Sequence, residues 1–381
     1  MKVEQRKWRE ESGWVPGMSA ALGPSAQLVL VFGANRILTG QEPLLDVRKV
    51  YPYAHFLGCS TAGEILDTQV SDDSLVTTAI QFEHTLTNTA RVSLEAVGGS
   101  SFLAGASLAQ SLAEKDLVHV FVLSDGINVN GSDLARGLLA HLPEHVGVTG
   151  GLAGDSDRFN ETLVLHGAAL PEKNTISALG LYGNRLKVGY GSFGGWDPFG
   201  PERTVTRSNA NVLFELDGRS ALELYKEYLG EHARGLPATG LLFPLNIRTG
   251  KNAVPLVRTI LAVNEKDQSM TFAGDIPEGS YARLMKANFD RLIDGAASAA
   301  RSAHTALGAS SPDLAVLISC VGRKLVLRQR TEEEVEAVRD VLGEKTALTG
   351  FYSYGEICPT LKDGKCELHN QTMTITALLE K

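Results

Sequence analysis

One short corner is written three times in this chain, and no other feature constrains the fold as tightly. Residues 58–65 read GCSTAGEI and residues 350–357 read GFYSYGEI. A shorter copy, GGLAGD, occupies residues 150–155. An apolar stretch precedes each copy: AHFLG, VGVTG and TALTG. Further upstream each has a second apolar run that ends in a polar turn: LVLVFGA at 28–34, HVFVLSDG at 119–126 and AVLISCVGR at 315–323. Short apolar runs bounded by turn residues read as buried strands, and the segments between the paired runs can be helical. The unit is therefore strand, loop, helix, strand, glycine corner. Internal repetition of this kind fixes architecture before residue-level detail does. The copies are not contiguous, which favours duplicated domains over a solenoid.

These units predict an α/β chain of two domains, built from duplicated βαβ-like elements with mixed sheets. Residues 1–27 read as a polar lead-in docked by Trp8 and Trp14, 28–211 as a first domain and 212–381 as a second. A chain of 381 residues accommodates two domains. Helices are expected over 103–114 and over 134–142 with Ser132 as N-cap. Others are expected after Asp217 as cap, from 281 to 306, and from a Thr331–Glu334 capping box to Gly343. Residues 176–216 read as all-β. The Asp/Asn alternation at 124–133 lacks the closing glutamate of a calcium loop and reads as turn and cap chemistry.

A net charge of −8 argues against nucleic acid or an anionic membrane surface as the main partner. No run of eighteen apolar residues is present, and the charged N-terminus shows no secretory h-region, so a cytoplasmic protein is expected. Four cysteines do not make a disulfide framework in a chain this long. Enzymatic turnover is not expected: there is no G-x-S-x-G elbow, no P-loop, and no G-x-G-x-x-G between a strand and a helix.

The corners are the expected ligand site, because ligands of open α/β sheets bind outside the carboxyl ends of the strands. Ser60, Thr61 and Glu64 from the first corner, with Tyr352, Ser353, Tyr354 and Glu356 from the third, form the expected polar lining. The same groups could instead cap their own loops. Cys320, Cys358, Cys366 and His369 fall close together near the C-terminus and offer soft ligands. They could bind haem iron, an iron–sulfur cluster or zinc, or be small buried hydrophobes.

The motifs GCSTAGEI, GGLAGD, LFELDGRSALELY, AGDIPEGS, LISCVGRK, GFYSYGEICP and CELHNQTMT occur in the order found in the FIST family of two-part sensory proteins, which this chain resembles over roughly 28–376. Within that family it looks most like the NosP-type nitric-oxide-sensing haemoproteins. The resemblance implies a haem-based nitric oxide sensor that regulates a histidine kinase or a cyclic-di-GMP enzyme in trans. The alternatives are a metal-free sensor of a small metabolite such as an amino acid, and an iron–sulfur or zinc protein. No output domain is visible in the chain, so the signal is expected to pass to a partner; a homo-oligomer is compatible with this.

Overall fold

The computed structural model describes residues 1–18, 21–360 and 365–381. It is a mixed α/β fold. Each repeat unit has two parallel strands in register, and a third strand returns antiparallel beside the first. In the first unit Leu28–Gly33 pairs parallel with His55–Ser60, and Leu75–Gln81 returns. In the second, Leu117–Ser124 pairs with Gly147–Leu152, and Thr175–Tyr182 returns. In the third, Leu314–Cys320 pairs with Ala347–Ser353, and Met373–Glu380 returns. An outer strand flanks each return strand: Lys2–Arg9, Leu86–Ser93 and Leu186–Phe193 respectively.

The three units are interlocked by exchange. The strand that follows each corner leaves its own sheet and joins that of a neighbour. Glu64–Leu66 pairs with Ala347–Ser353 of the third unit. Gly355–Pro359 pairs with Gly147–Leu152 of the second. Val164–His166, which follows the second corner, pairs with His55–Ser60 of the first. The exchange closes a three-membered ring of six-stranded sheets. The inner faces of the sheets meet in one core, where Leu30, Phe32, Phe121, Leu123, Val316 and Ile318 pack together. The Phe32 and Phe351 rings lie 4.7 Å apart between centroids. Cys59 belongs to this core as a small apolar group.

Residues 197–286 form a separate structure inserted into the third unit. Strands from Asp197 to Lys286 make a nine-stranded sheet with the helix Ala221–Leu229 packed on it. Its core is its own, built from Val205, Leu213, Leu222, Tyr225, Phe272 and Ile276. The chain enters it after Phe193 and leaves it before the helix Phe289–Ala306. The boundary expected at 211/212 falls at the turn between two strands of this insert, Arg203–Asn209 and Val212–Leu216.

Several local expectations change. The lead-in carries the strand Lys2–Arg9, a register partner of Leu75–Gln81. Its sequence, KVEQRKWR, shows little apolar alternation, and sheet pairing rather than apolar burial holds it. The helix expected from 281 begins at Phe289, because Tyr281–Lys286 pairs with Leu245–Arg248 inside the insert. Leu284 is thus a strand residue. Ser220 caps the helix Ala221–Leu229, while Asp217 occupies the left-handed turn before it. Asn130, not Ser132, caps the helix Gly131–Leu139. Thr331 lies inside its helix rather than at the cap, and the Thr331–Glu334 box does not form because Glu334 turns inward.

Candidate functional site

The three corners stand at the carboxyl ends of the paired strands. Gly58, Gly150 and Gly350 occupy equivalent positions, opposite Val31, Val122 and Leu317 on the parallel neighbour. A Cβ on Gly58 would lie 2.2 Å from the Val31 carbonyl oxygen. On Gly150 it would lie 1.9 Å from that of Val122, and on Gly350 1.8 Å from that of Leu317. Only glycine lets two strands approach this closely while a neighbour's strand pairs on the other side. The repeated glycine is therefore a requirement of strand exchange.

The corner carboxylates are buried. Glu64 accepts hydrogen bonds from the Thr61 hydroxyl, from the Ser74 hydroxyl at 2.6 Å and from the Ser74 N–H at 3.1 Å. Glu356 repeats the pattern, accepting from Ser353 Oγ at 2.6 Å, Thr372 Oγ1 at 2.9 Å and the Thr372 N–H at 3.3 Å. Burial disfavours the ionised form and pushes Glu64 up to about 7 and Glu356 up to about 8, against the pull of those hydrogen bonds. In the second unit the corner carboxylate is the buried Asp155, which accepts from Arg158 and from the Glu161 N–H at 3.3 Å, while Asp125 at the end of the preceding strand accepts from the N–H groups of Ile127, Asn128 and Asn174. Ser60 accepts from the Leu163 N–H at 2.8 Å. Tyr352 donates to Glu334 at 2.7 Å. Six of the seven expected lining residues, Ser60, Thr61, Glu64, Tyr352, Ser353 and Glu356, thus brace the corners from behind. Tyr354 alone of the seven faces an open space.

That space is a cleft of about 1530 Å³ between the corners and the inserted sheet. Ala62 of the first corner, Leu152 and Phe159 of the second unit, and Tyr354 of the third line one side. Leu236, Thr239 and Leu261 of the insert line the other. The Tyr354 ring stacks on Phe159 with centroids 4.3 Å apart and 17° between planes. Its hydroxyl accepts from the Phe159 N–H at 3.1 Å and donates to the Ser156 carbonyl at 3.2 Å. Lys324 reaches from the third unit to the Ala62 carbonyl at 2.9 Å and to Asp72. The corners are thereby tied to one another around the cleft floor.

The expected metal ligands are not gathered into one site. Cys366 and His369 are three apart on one strand, so the period of two puts them on opposite faces. The Cys366 thiol donates to the Val148 carbonyl at 3.4 Å, and His369 Nε2 bonds the Cys358 carbonyl at 2.9 Å. Cys320 ends the strand Leu314–Cys320 of the third sheet, whereas Cys358 and Cys366 belong to the second. Burial pushes the thiols of Cys320, Cys358 and Cys366 up and lowers His369 to about 4. Thiols are metal ligands as thiolates, a form this burial opposes. Among the described residues no group of three or more His, Cys, Asp or Glu side chains is placed to hold a metal ion. None of the four expected ligands lines the cleft. These residues do not fit haem, an iron–sulfur cluster or zinc.

The residues that sequence reasoning missed are on the helix Val321–Leu327 and the segment after it. Val321, Lys324, Leu325 and Arg328 face the cleft. Between them Arg323 turns inward and is fully buried with Glu334, at 2.7 Å and 3.0 Å. Arg323 also donates to the carbonyls of Gly194 and of Leu292, the latter at 2.7 Å. Gly194 directly follows the strand that leads into the insert, and Leu292 lies in the first turn of the helix Phe289–Ala306 that follows it. Trp196 adds a bond from its Nε1 to the Gln371 carbonyl at 2.9 Å. One guanidinium thus holds both crossings to the insert, one residue away from the cleft. An arginine three residues past a strand end and a glutamate in a run of three were the available signals; the run disguised Glu334 as a surface charge.

A ring of interlocked α/β units with a cleft under an inserted sheet presents an open space large enough for a small molecule. The FIST N domain pattern matches residues 27–219 and the FIST C domain pattern residues 221–359. The chain belongs to the FIST family, whose domains are ligand-binding modules of signal transduction. It is similar to an uncharacterized protein of Methanocaldococcus jannaschii, 22% identical over 254 residues, covering 58% of this chain and 46% of that one. The chain thus spans about half the length of the curated relative it matches. Among solved structures it is similar to a chorismatase, with TM-score 0.36, 11% identity and 99% and 98% of the two chains covered. It is likewise similar to the cyanuric acid hydrolase of A. caulinodans, with TM-score 0.42, 10% identity and 100% and 99% covered. Among the described residues no helix is long and apolar enough to cross a membrane.

Proposed function

We propose that this protein is a metal-free sensor of a small organic metabolite, which binds in the cleft between the three corners and the inserted sheet. The reading rests on one observation: the cleft has the ring as one wall and the insert as the other. An occupant that contacts both walls favours one relative placement over another, and this is the differential affinity that a population shift requires. The Arg323 network supports the coupling, because the same helix contacts the cleft and grips both connections to the insert. Turnover is not part of the proposal. The readout passes to a partner protein, which the family resemblance suggests is a histidine kinase or a cyclic-di-GMP enzyme.

The haem and nitric oxide reading has less support, because histidine and cysteine are absent from the described cleft lining. Its oxygen donor Tyr354 is already engaged in two hydrogen bonds. Hemin titration separates the two readings: a saturable Soret complex that shifts with nitric oxide overturns the metal-free proposal. Its direct test is a thermal-shift screen of metabolites followed by hydrogen–deuterium exchange on each hit. A true ligand slows exchange together in 126–131, 235–242 and 321–328. Stabilising ligands that leave all three segments unchanged overturn the site.

A further inference from the structure

We infer that the ligand of this cleft is an organic anion with an apolar body, whose acidic group is read by Arg328. This rests on the sensor reading above and names the chemistry of its site. Among the described residues thirteen large apolar side chains are exposed, and three of them line this one cleft. Ile127 is 40% exposed and Phe159 42%, both on the ring wall, while Leu261 on the insert wall is 44% exposed. Apolar surface on both walls fits an apolar ligand body held between them.

The charges of the lining then select the head group. Lys324 is paired with Asp72, Asp73 with Arg36, and Arg158 with Asp155. Arg328 and Asp157 are left without a charged partner among the described residues. Asp157 is next to Arg158 in a wall segment that carries both signs. The wall from Val321 to Thr331 contributes no carboxylate of its own; Asp72 already neutralises its Lys324, which leaves Arg328 as that wall's unpaired charge. Arg328 also sits at φ 54, in the left-handed region where glycine is the favoured residue. A bulky side chain retained there, exposed and without a partner, has no structural contact to account for it. Its planar fork suits a carboxylate or a phosphate.

The test is isothermal titration of the full chain at neutral pH with three probes of one shape: 4-phenylbutyrate, 4-phenylbutanol and 4-phenylbutylamine. The acid should bind roughly tenfold or more tighter than the alcohol, the worth of a charge-assisted hydrogen bond, with the amine weakest. Arg328→Gly should reduce the acid to the level of the alcohol while the thermal midpoint holds or rises, since glycine relieves the left-handed backbone. A structural arginine would give the reverse pattern, a lower midpoint with discrimination kept. If Arg328→Gly does not fold, Arg328→Gln supplies the same comparison. Equal binding of acid and alcohol, preference for the amine, or no binding of the acid overturns the inference. A metabolite that protects the cleft segments from exchange while 4-phenylbutyrate does not bind would leave the sensor reading standing and remove the anion alone.

Discussion

The two corner carboxyls should make this protein lose stability as pH rises through neutrality, and most of that loss should be removable by changing one atom. Both groups have folded-state midpoints above the ordinary value of 4.5, near 7 for Glu64 and near 8 for Glu356. A carboxyl raised in this way binds more protons folded than unfolded, so stability falls as pH climbs from the ordinary value through the raised one. At about 1.4 kcal/mol per tenfold, the Glu356 shift makes the fold about 3 kcal/mol less stable at pH 9 than at pH 6, and Glu64 adds about 1 kcal/mol. Glutamine mimics the protonated carboxyl and can still meet Ser353 and Thr372. Glu356→Gln should therefore match the parent within about 1 kcal/mol at pH 6 and exceed its stability by about 2 kcal/mol at pH 9. Glu64→Gln should do the same on a smaller scale, and the double variant should lose the carboxyl contribution of both sites. Urea unfolding at pH 6, 7.5 and 9 reads this directly. Parallel pH profiles for the parent and Glu356→Gln would show that the carboxyl is ionised in the folded protein, and the argument from burial would be wrong.

Gly350→Ala should cost about 3 kcal/mol or more, because the added methyl meets a strand carbonyl that cannot withdraw; Gly250→Ala, with open space around it, should be near neutral in the same thermal melts. Arg323→Met alone should destabilise by about 3–5 kcal/mol by stranding Glu334, whereas Arg323→Met with Glu334→Leu should recover most of the loss in urea unfolding; equal losses in the two would mean the ion pair itself stabilises the fold. Ser220→Ala should destabilise the protein by about 1 kcal/mol through the lost helix cap, seen as a lower melting temperature, and Asp217→Ala should leave that helix intact by circular dichroism.

The repeat was legible because glycine and a following carboxylate at fixed spacing are rare enough to count. The strands and the α/β class followed from it. What the strands paired with was not legible: alternation says which face is buried, but not whose sheet a strand joins. Glu64 and Glu356 looked like ligand groups for the same reason that they are buried, namely that hydroxyls at fixed spacing surround them. A carboxylate that braces a loop and one that meets a ligand leave the same local pattern. Tyr354 was found as a lining residue, but Arg328, Phe159 and Ile127 were not, since each is unremarkable until the insert is placed opposite. Arg323 was hidden because, Glu334 aside, the partners that tie it to the insert are carbonyls more than thirty residues upstream, and carbonyls have no signature in sequence.

The exchanged strands also set an order for synthesis. All strands of the first sheet lie within residues 2–166, so it can close while the ribosome is still working. The second sheet waits for Gly355–Pro359 and Cys366–His369, and the third for Met373–Glu380. Until residues 355–380 emerge, two of the ring's three sheets have unpaired strands, which are sites for association with other chains. A nascent chain stalled before residue 380 is therefore a hazard to its neighbours, and one that has passed it can bury those edges.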